Sequence, residues 1–376
     1  NMNKIILFLL CFLLGSSFST FAQGRDREIK ISRQQESPVK TVKVRGKGKI
    51  KNVVFMIGDG MSLAHMYSTW AANKGKLNLE NCQTVGLAKT YCCDRLITDS
   101  GAAGTALATG HKTRYHAVGV DPEGKPLLTL TDLAAAKSKS TGVVVTCRLN
   151  DATPAAFCAH NSDRDQAEEL IADYAGCGVD FIFGGKRYFC ERKDGRNILE
   201  EMKALGYQTP ENQEQLDAIQ TGKVLAVWAD HDLPRPSVRK EMLTESTMKA
   251  LELLSQNKKG FFLMVEASQI DDYGHANQLD PLVEEILDFD RTIGKVFEWA
   301  AADGETLVVV TADHETGGLT LVGGSLPEGE IIGKFSTGDH SGVMVPVYAF
   351  GPGAELFTGI YENTDIFEKI KYLLKL

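Results

Sequence analysis

The sequence predicts a three-layer α/β sandwich, with a largely parallel central sheet and helices on both faces. Three observations predict it. Short β-branched, apolar runs recur along the chain, and stretches with apolar residues at three- and four-residue steps separate them. Acids, a hydroxyl and histidines follow directly on the ends of those runs. Continuous apolar runs are what buried parallel strands look like, and their alternation with amphipathic helices marks crossover units.

The runs read as strands are residues 51–57, 142–147, 261–265, 306–311 and 343–350. Helical periodicity covers 164–175, 197–205, 246–255, 281–301 and 364–376. Asp280 before Pro281 predicts a helix start, because proline fits the first helical turn, where no backbone N–H is needed. No internal repeat or low-complexity tract interrupts the pattern.

With 376 residues, 43% hydrophobic and 24% charged, the chain sustains one large core, or two small ones. Residues 1–22 read as a signal peptide: Met2 and Lys4 precede an apolar run over 5–14, and Ser16, Ser17, Ser19 and Thr20 lead to Ala22. That run is shorter than the ~20 residues a membrane span needs, so an exported, periplasmic or secreted protein without a transmembrane segment is expected. Leu10 stands before Cys11 where a lipid-anchor signal has a small residue. Seven cysteines follow Cys11, with no CxxC pair or cysteine-histidine box, which argues against cysteine-bound zinc. Cys177 and Cys190 are candidates to pair in an oxidising compartment.

Residues 24–51 carry ten Lys or Arg against three acids, and residues 52–376 carry 30 basic against 46 acidic residues. The segment 23–50 therefore reads as a solvated basic linker to an acidic domain over 51–376, or else as a tether to anionic envelope polymers. It has no aromatic residue, so nothing there suits base stacking and no specific nucleic-acid partner is expected.

Chemistry gathers at the run ends. Asp59 follows the first run, Asp151 and Thr153 the second, Glu266 and Asp271 the third, and Asp313 with His314 the fourth. In an open parallel sheet these ends form one rim, where ligands bind. Isolated carboxylates beside core strands are costly unless paired or metal-bound. Asp271 and His275 are one helical turn apart, a zinc-like oxygen and nitrogen pair, and His340 adds another imidazole. His65, His111, His116, His160 and His231 lack such neighbours and read as structural or exposed. Ser100 opens an Ala- and Gly-rich stretch, either as a helix N-cap or as a hydroxyl set where helix amides attract phosphate. Arg164 is open to pairing with Asp163 or Asp165.

The phrases FMIGDGM, TDSGAAGTALATG, NDATPAA, DRD, VEASQIDDYGH, TADHE and GDH, in this order over about residues 53–352, resemble the alkaline phosphatase family. The resemblance implies an alkaline phosphatase-like fold and hydrolysis of small-molecule phosphate monoesters through a phosphoserine on Ser100. It implies one Zn2+ on Asp59, Asp313 and His314, and a second Zn2+ on Asp271, His275 and His340. One Mg2+ would sit on Asp59, Thr153 and Glu266 with Asp151 behind it, and Arg164 would clamp phosphate. Position 272 is Asp where better-known members carry Lys or His, which leaves phosphate affinity and the third ion's identity open. Only 25 residues separate His314 from His340, too few for the crown-like insertion of some relatives, so a homodimer through that element is in doubt. Phosphodiesterases and sulfatases of the wider superfamily are rivals. The former generally use threonine as nucleophile, and the CxPxR-type motif of the latter is absent. A phosphate- or metal-binding protein without activity would have lost Ser100 or a ligand, and none is missing.

Overall fold

Every residue of NVVFMIG at Asn52–Gly58 is buried, and so are all of FFLMVEA at Phe261–Ala267 and TLVVVT at Thr306–Thr311. A strand buries both sides of its pleat only when layers cover both faces of its sheet. The structure, a computed structural model, describes residues 27–33, 35–44 and 48–376; the expected signal peptide and Cys11 lie outside them.

In chain order the strands are β1 (Ile29–Ser32), β2 (Asn52–Gly58), β3 (Thr84–Lys89), β4 (Ser140–Arg148), β5 (Phe181–Gly185), β6 (Val224–Val227), β7 (Phe261–Ala267), β8 (Thr306–Thr311), β9 (Glu315–Thr316), β10 (Leu319–Ser325), β11 (Glu330–Phe335), β12 (His340–Ser341), β13 (Val345–Phe350) and β14 (Gly359–Glu362). Among the described residues nine make the main sheet, ordered β14-β3-β13-β8-β2-β7-β4-β5-β6. From β8 to β6 every pairing is parallel. Only β13 runs against its neighbours β8 and β3. Its direction follows from the chain path. The short pair β9–β12 holds His340 at the rim, and β13 begins a few residues later, so it must start at the rim and run away from it. The three-layer α/β sandwich with a largely parallel sheet is thus the observed fold.

All five expected strands are present, shifted by a few residues at their ends. Two helix expectations need correction. The long helix is Leu279–Asp303, with Gln278 at its cap, so Asp280 does not start it; the Asp280 carboxylate instead accepts from Arg33 at 3.2 Å. The helix expected over 164–175 is Ala167–Asp173. Asp163 accepts from the Asp165 N–H and the Gln166 amide, local bonds that compete with helix formation and leave Arg164 in a turn.

The described part of the basic stretch is anchored on the domain, with its residues exposed or half-buried. β1 pairs antiparallel with β11 in a three-stranded sheet with β10, and the Ser37, Lys40 and Val42 N–H groups donate to Asn73, Asn78 and Asn81 side chains. Lys30, Lys40 and Lys51 pair with Glu330, Glu298 and Glu305. Part of its charge is thus paired with acids of the domain surface. All seven described cysteines are free thiols, with Cys190 exposed, so Cys177 and Cys190 are not paired.

Candidate active site

The parallel strands from β8 to β6 all end at one edge. Asp313 and His314 follow β8, Asp59 follows β2, Glu266 closes β7, and Asp151 and Thr153 follow β4. The helix Gln269–His275 after β7 carries Asp271 and His275. Gly60 makes the crowding possible. Its φ is +72°, and a Cβ there would stand 2.7 Å from Thr316 Oγ1 and 3.0 Å from Asp271 Oδ1.

Among the described residues three groups of metal-type donors form, each with its donor atoms within 4.8 Å of one another, and two of them stand beside Ser100. The first is Asp59, Asp313 and His314, fully buried: His314 Nε2 lies 3.1 Å from Asp313 Oδ2 and 3.5 Å from Asp59 Oδ1. The second is Asp271, His275 and His340, at the surface: His275 Nε2 is 3.2 Å from Asp271 Oδ2 and His340 Nε2 is 3.4 Å from Asp271 Oδ1. The two Nε2 atoms lie 3.1 Å apart. Nδ1 of His275 donates to Gly338 O at 2.7 Å and Nδ1 of His340 to Thr98 O at 2.8 Å, which turns both Nε2 atoms toward Asp271. The groups adjoin through the His314 and His340 rings, stacked at 3.5 Å.

Ser100 is the first residue of the helix Ser100–Thr109, but it is not the cap. Asp99 is, accepting from the Gly101 and Ala102 N–H groups. The serine hydroxyl is thereby released to face His314 Nε2 at 3.1 Å. Arg164 does not pair with Asp163 or Asp165: its two Nη atoms donate to Asp99 Oδ2 at 3.0 Å and Asp151 Oδ1 at 2.9 Å. Asp99 therefore ties the serine's helix to the arginine. Its place directly before Ser100 was the available signal for it.

A third group of oxygens stands behind. Thr153 Oγ1 donates to Asp59 Oδ2 at 3.5 Å. Glu266 is wholly buried, and neither of its carboxylate oxygens has a hydrogen-bond partner; Asp59 Oδ1 and Asp313 Oδ2 also lack a hydrogen bond and have only the His314 ring beside them. Burial, then the charges of Asp313, Asp271 and Glu266, push the Asp59 carboxyl well up. Burial, then Asp151 and Asp313, do the same to Glu266. These acids cannot all ionise without positive charge among them, so the donor set fits divalent cations. Against burial, hydrogen bonds from His275 and His340 hold Asp271 well below its usual range, and the Asp271 bond raises His275 to about 9.

Two histidines set aside in the sequence are also near. His65 is fully buried with Nδ1 accepting from the Ser62 N–H at 2.9 Å. His116 has donor atoms within 4.8 Å of Asp163 and Asp165, and its carbonyl accepts from the Arg164 N–H at 2.8 Å. The Ser62–His65 contact is a local cap three residues apart, whereas the His116 relation leaves no mark in local spacing.

Comparison with known proteins accords with this geometry. A family model described as alkaline phosphatase matches residues 50–334 and 332–376. The chain is 33% identical to Alkaline phosphatase 4 of Bacillus subtilis (strain 168), over 91% of this chain and 92% of that protein. Alkaline phosphatase from the Antarctic bacterium TAB5 superposes with a TM-score of 0.84 at 38% identity, covering 87% of this chain and 99% of that one. A variant of the Antarctic enzyme, solved with Mg bound in its M3 site, superposes at 0.82 with 37% identity, over 87% of this chain and 98% of that one. Matched by the family model from residue 50 to its last residue, and by relatives along nearly their whole length, this chain belongs to the alkaline phosphatase family of metal-dependent phosphomonoesterases.

Proposed function

We propose that the chain, acting as one catalytic domain over residues 51–376, hydrolyses phosphate monoesters through a phosphoserine on Ser100. The observation that carries the reading is the Ser100 hydroxyl, 3.1 Å from His314 Nε2 where the two donor groups meet. Asp59, Asp313 and His314 would hold one zinc ion, and Asp271, His275 and His340 a second, since mixed carboxylate and imidazole donors suit zinc. Asp59, Thr153 and Glu266 offer oxygen alone, which suits magnesium, with Asp151 behind them. The magnesium of the Antarctic variant supports that third assignment. When bound, such ions supply Lewis-acid stabilisation of negative charge developing on oxygen.

The residues of the chain do the rest. Ser100 Oγ attacks phosphorus opposite the ester oxygen; the serine–phosphorus bond forms as the ester bond breaks and the alcohol departs. Water then attacks the phosphoserine, phosphate leaves and the hydroxyl is restored. Arg164 turns its planar fork from Asp99 and Asp151 to two phosphate oxygens, a geometry lysine cannot offer. Helix amides behind Ser100 favour the incoming anion.

Among the described residues no helix is long and apolar enough to cross a membrane. Export is proposed on the charged start and apolar run of residues 2–22. The test of the reaction is phenyl phosphate hydrolysis with zinc and magnesium varied separately, joined to acid-quench labelling. Wild type should trap labelled phosphate on Ser100, and Ser100→Ala should retain metal but trap none. An acid-stable phosphoenzyme in Ser100→Ala would overturn the assignment.

A further inference from the structure

The rim continues past the residues used so far. Beyond β4 the parallel sheet extends through β5 and β6, and residues 186–188 and 230–232 follow their carboxyl ends. Gly185 lets these two turns meet. A Cβ there would lie 1.8 Å from His231 O and 2.9 Å from Arg148 Cα, so any side chain would push the second turn off the end of β5. With the turns closed, Arg187 Nη1 donates to His231 Nδ1 at 2.8 Å; arginine has only donors, so the imidazole accepts.

A cavity of about 400 Å³ opens at this place, lined in part by Arg148, Asp151, Arg164, Asp165, Arg187 and Tyr188. It therefore runs from the arginine proposed to clamp phosphate to the end of β5. A neighbouring cavity of about 440 Å³ shares Arg187 and Tyr188. Two of the three guanidinium groups are already neutralised. Arg148 holds both oxygens of Asp232 at 3.0 and 2.8 Å and reaches Asp151 at 3.2 Å, and Arg164 holds Asp99 and Asp151. Arg187 differs: its partners are an imidazole that accepts and the Tyr188 ring, 5.0 Å from its guanidinium carbon. Among the described residues no carboxylate is paired with it. The opposing charge in the lining, Asp165, is exposed at the lip and screened by water, while Arg187 is half-buried. Tyr188 holds φ at +64°, a left-handed conformation uncommon for a bulky residue and often kept where it serves a site.

We propose that Arg187, with Tyr188 beside it, is a specificity-determining residue that holds a second anionic group, a carboxylate or phosphate, on the leaving alcohol. This rests on the phosphomonoesterase reading, and it adds which esters that site prefers. The guanidinium fork suits either anion, and the cavity connects it to Arg164, so one ester can engage both arginines.

The test compares kcat/KM for para-carboxyphenyl phosphate with that for phenyl phosphate, in metal-replete enzyme. The ratio between the two esters is read in each variant, so intrinsic reactivity cancels. Arg187→Gln should lower the ratio about fivefold, as loss of one partly exposed charge contact does. Asp165→Asn, which leaves Arg187 in place, should raise it about twofold by removing the opposing charge. A ratio equal to wild type in both variants, with phenyl phosphate still turned over, overturns the proposal. Wild type that cleaves neither ester would instead remove the phosphomonoesterase reading on which it rests.

Discussion

Two regions of this molecule bury carboxylates, and they treat them in opposite ways. On the helix Leu279–Asp303, Glu285 receives both Nη atoms of Arg239 at 2.9 and 2.7 Å. Asp288 receives Arg239 and Arg291, and Asp290 accepts from the Asn78 and Leu79 N–H groups and the Asn78 amide. At the rim, neither Glu266 oxygen has a hydrogen bond, and Asp59 and Asp313 each leave one oxygen without one, sharing the single His314 imidazole. Both regions are equally dry. A folded chain that satisfies its acids in one place and leaves them unmet in another has marked the second for a cation from outside. The helix acids hold the fold, and the rim acids are the ones proposed to hold ions.

The strongest way to break that contrast is to remove a rim acid. Asp59 belongs to both the first donor group and the oxygen set with Thr153, so Asp59→Ala should lower kcat/KM about a thousandfold or more, since each ion supplies several kcal/mol of charge stabilisation. The chelated variant should be at least as stable as the chelated wild type, because a carboxyl that burial and its acidic neighbours disfavour is gone. Metal content by mass spectrometry and urea unfolding read the two effects. Lower stability of the chelated variant would count against the distinction.

The reverse substitution is Arg239→Ala. It strands Glu285 in the core and leaves Asp288 with Arg291 alone, and breaking a buried ion pair by removing one partner costs about 3–5 kcal/mol. Urea unfolding of the metal-loaded variant should show that loss with zinc stoichiometry unchanged. A loss below about 1 kcal/mol would show that the helix acids, too, are weakly coupled to their partners.

Much of the rim was legible in the sequence because its residues follow strands buried on both faces, and such strands read as unbroken apolar runs. Asp313 with His314, and Asp271 with His275, could be placed from the runs before them. What stayed hidden depends on long-range contact. β5 is five residues ending in two glycines and β6 is four residues, too short for periodicity to register. β1 pairs with β11 about 300 residues away, so its charge was visible and its place was not. Arg164 looked like a helix-start residue because Asp163 and Asp165 flank it; the partners it takes, Asp99 and Asp151, come from other turns.

The pH dependence of stability sharpens the helix side. Burial pushes the Asp290 carboxyl up to about 6 from its usual value near 3.8, against the pull of its Asn78 and Leu79 donors. The folded chain therefore holds this proton more tightly than the unfolded chain. The stabilisation from protonation is complete below about pH 4 and is lost as the pH climbs through about 6. Between those limits wild type should lose about 1–3 kcal/mol more than Asp290→Asn. The slope of stability against pH, measured by urea unfolding, carries the result, because the amide changes absolute stability as well. Equal slopes would remove Asp290 as a titrating group.

The smallest effect belongs to a rim acid of neither kind. Asp272 follows the ligand candidate Asp271, and desolvation, then Asp271, Asp232 and Asp151, push its carboxyl up to about 7 against the pull of Arg148, although the residue as a whole is exposed. It is outside both donor groups and stands where better-known relatives carry a cation. Above about pH 7 the ionised carboxylate repels phosphate, so this enzyme should there release product more readily than a Lys-bearing form. Asp272→Lys reverses the local charge by two units, but at an exposed position water and salt screen most of that change. Phosphate inhibition should therefore tighten only about three- to tenfold, and kcat should fall with it if release limits turnover. Measurement at saturating magnesium separates this from an effect on the third ion, which would shift the magnesium requirement and leave the inhibition constant alone. An inhibition constant equal to wild type under those conditions would show that Asp272 does not act on bound phosphate, leaving Arg164 and the ions as the groups that set how long the product stays.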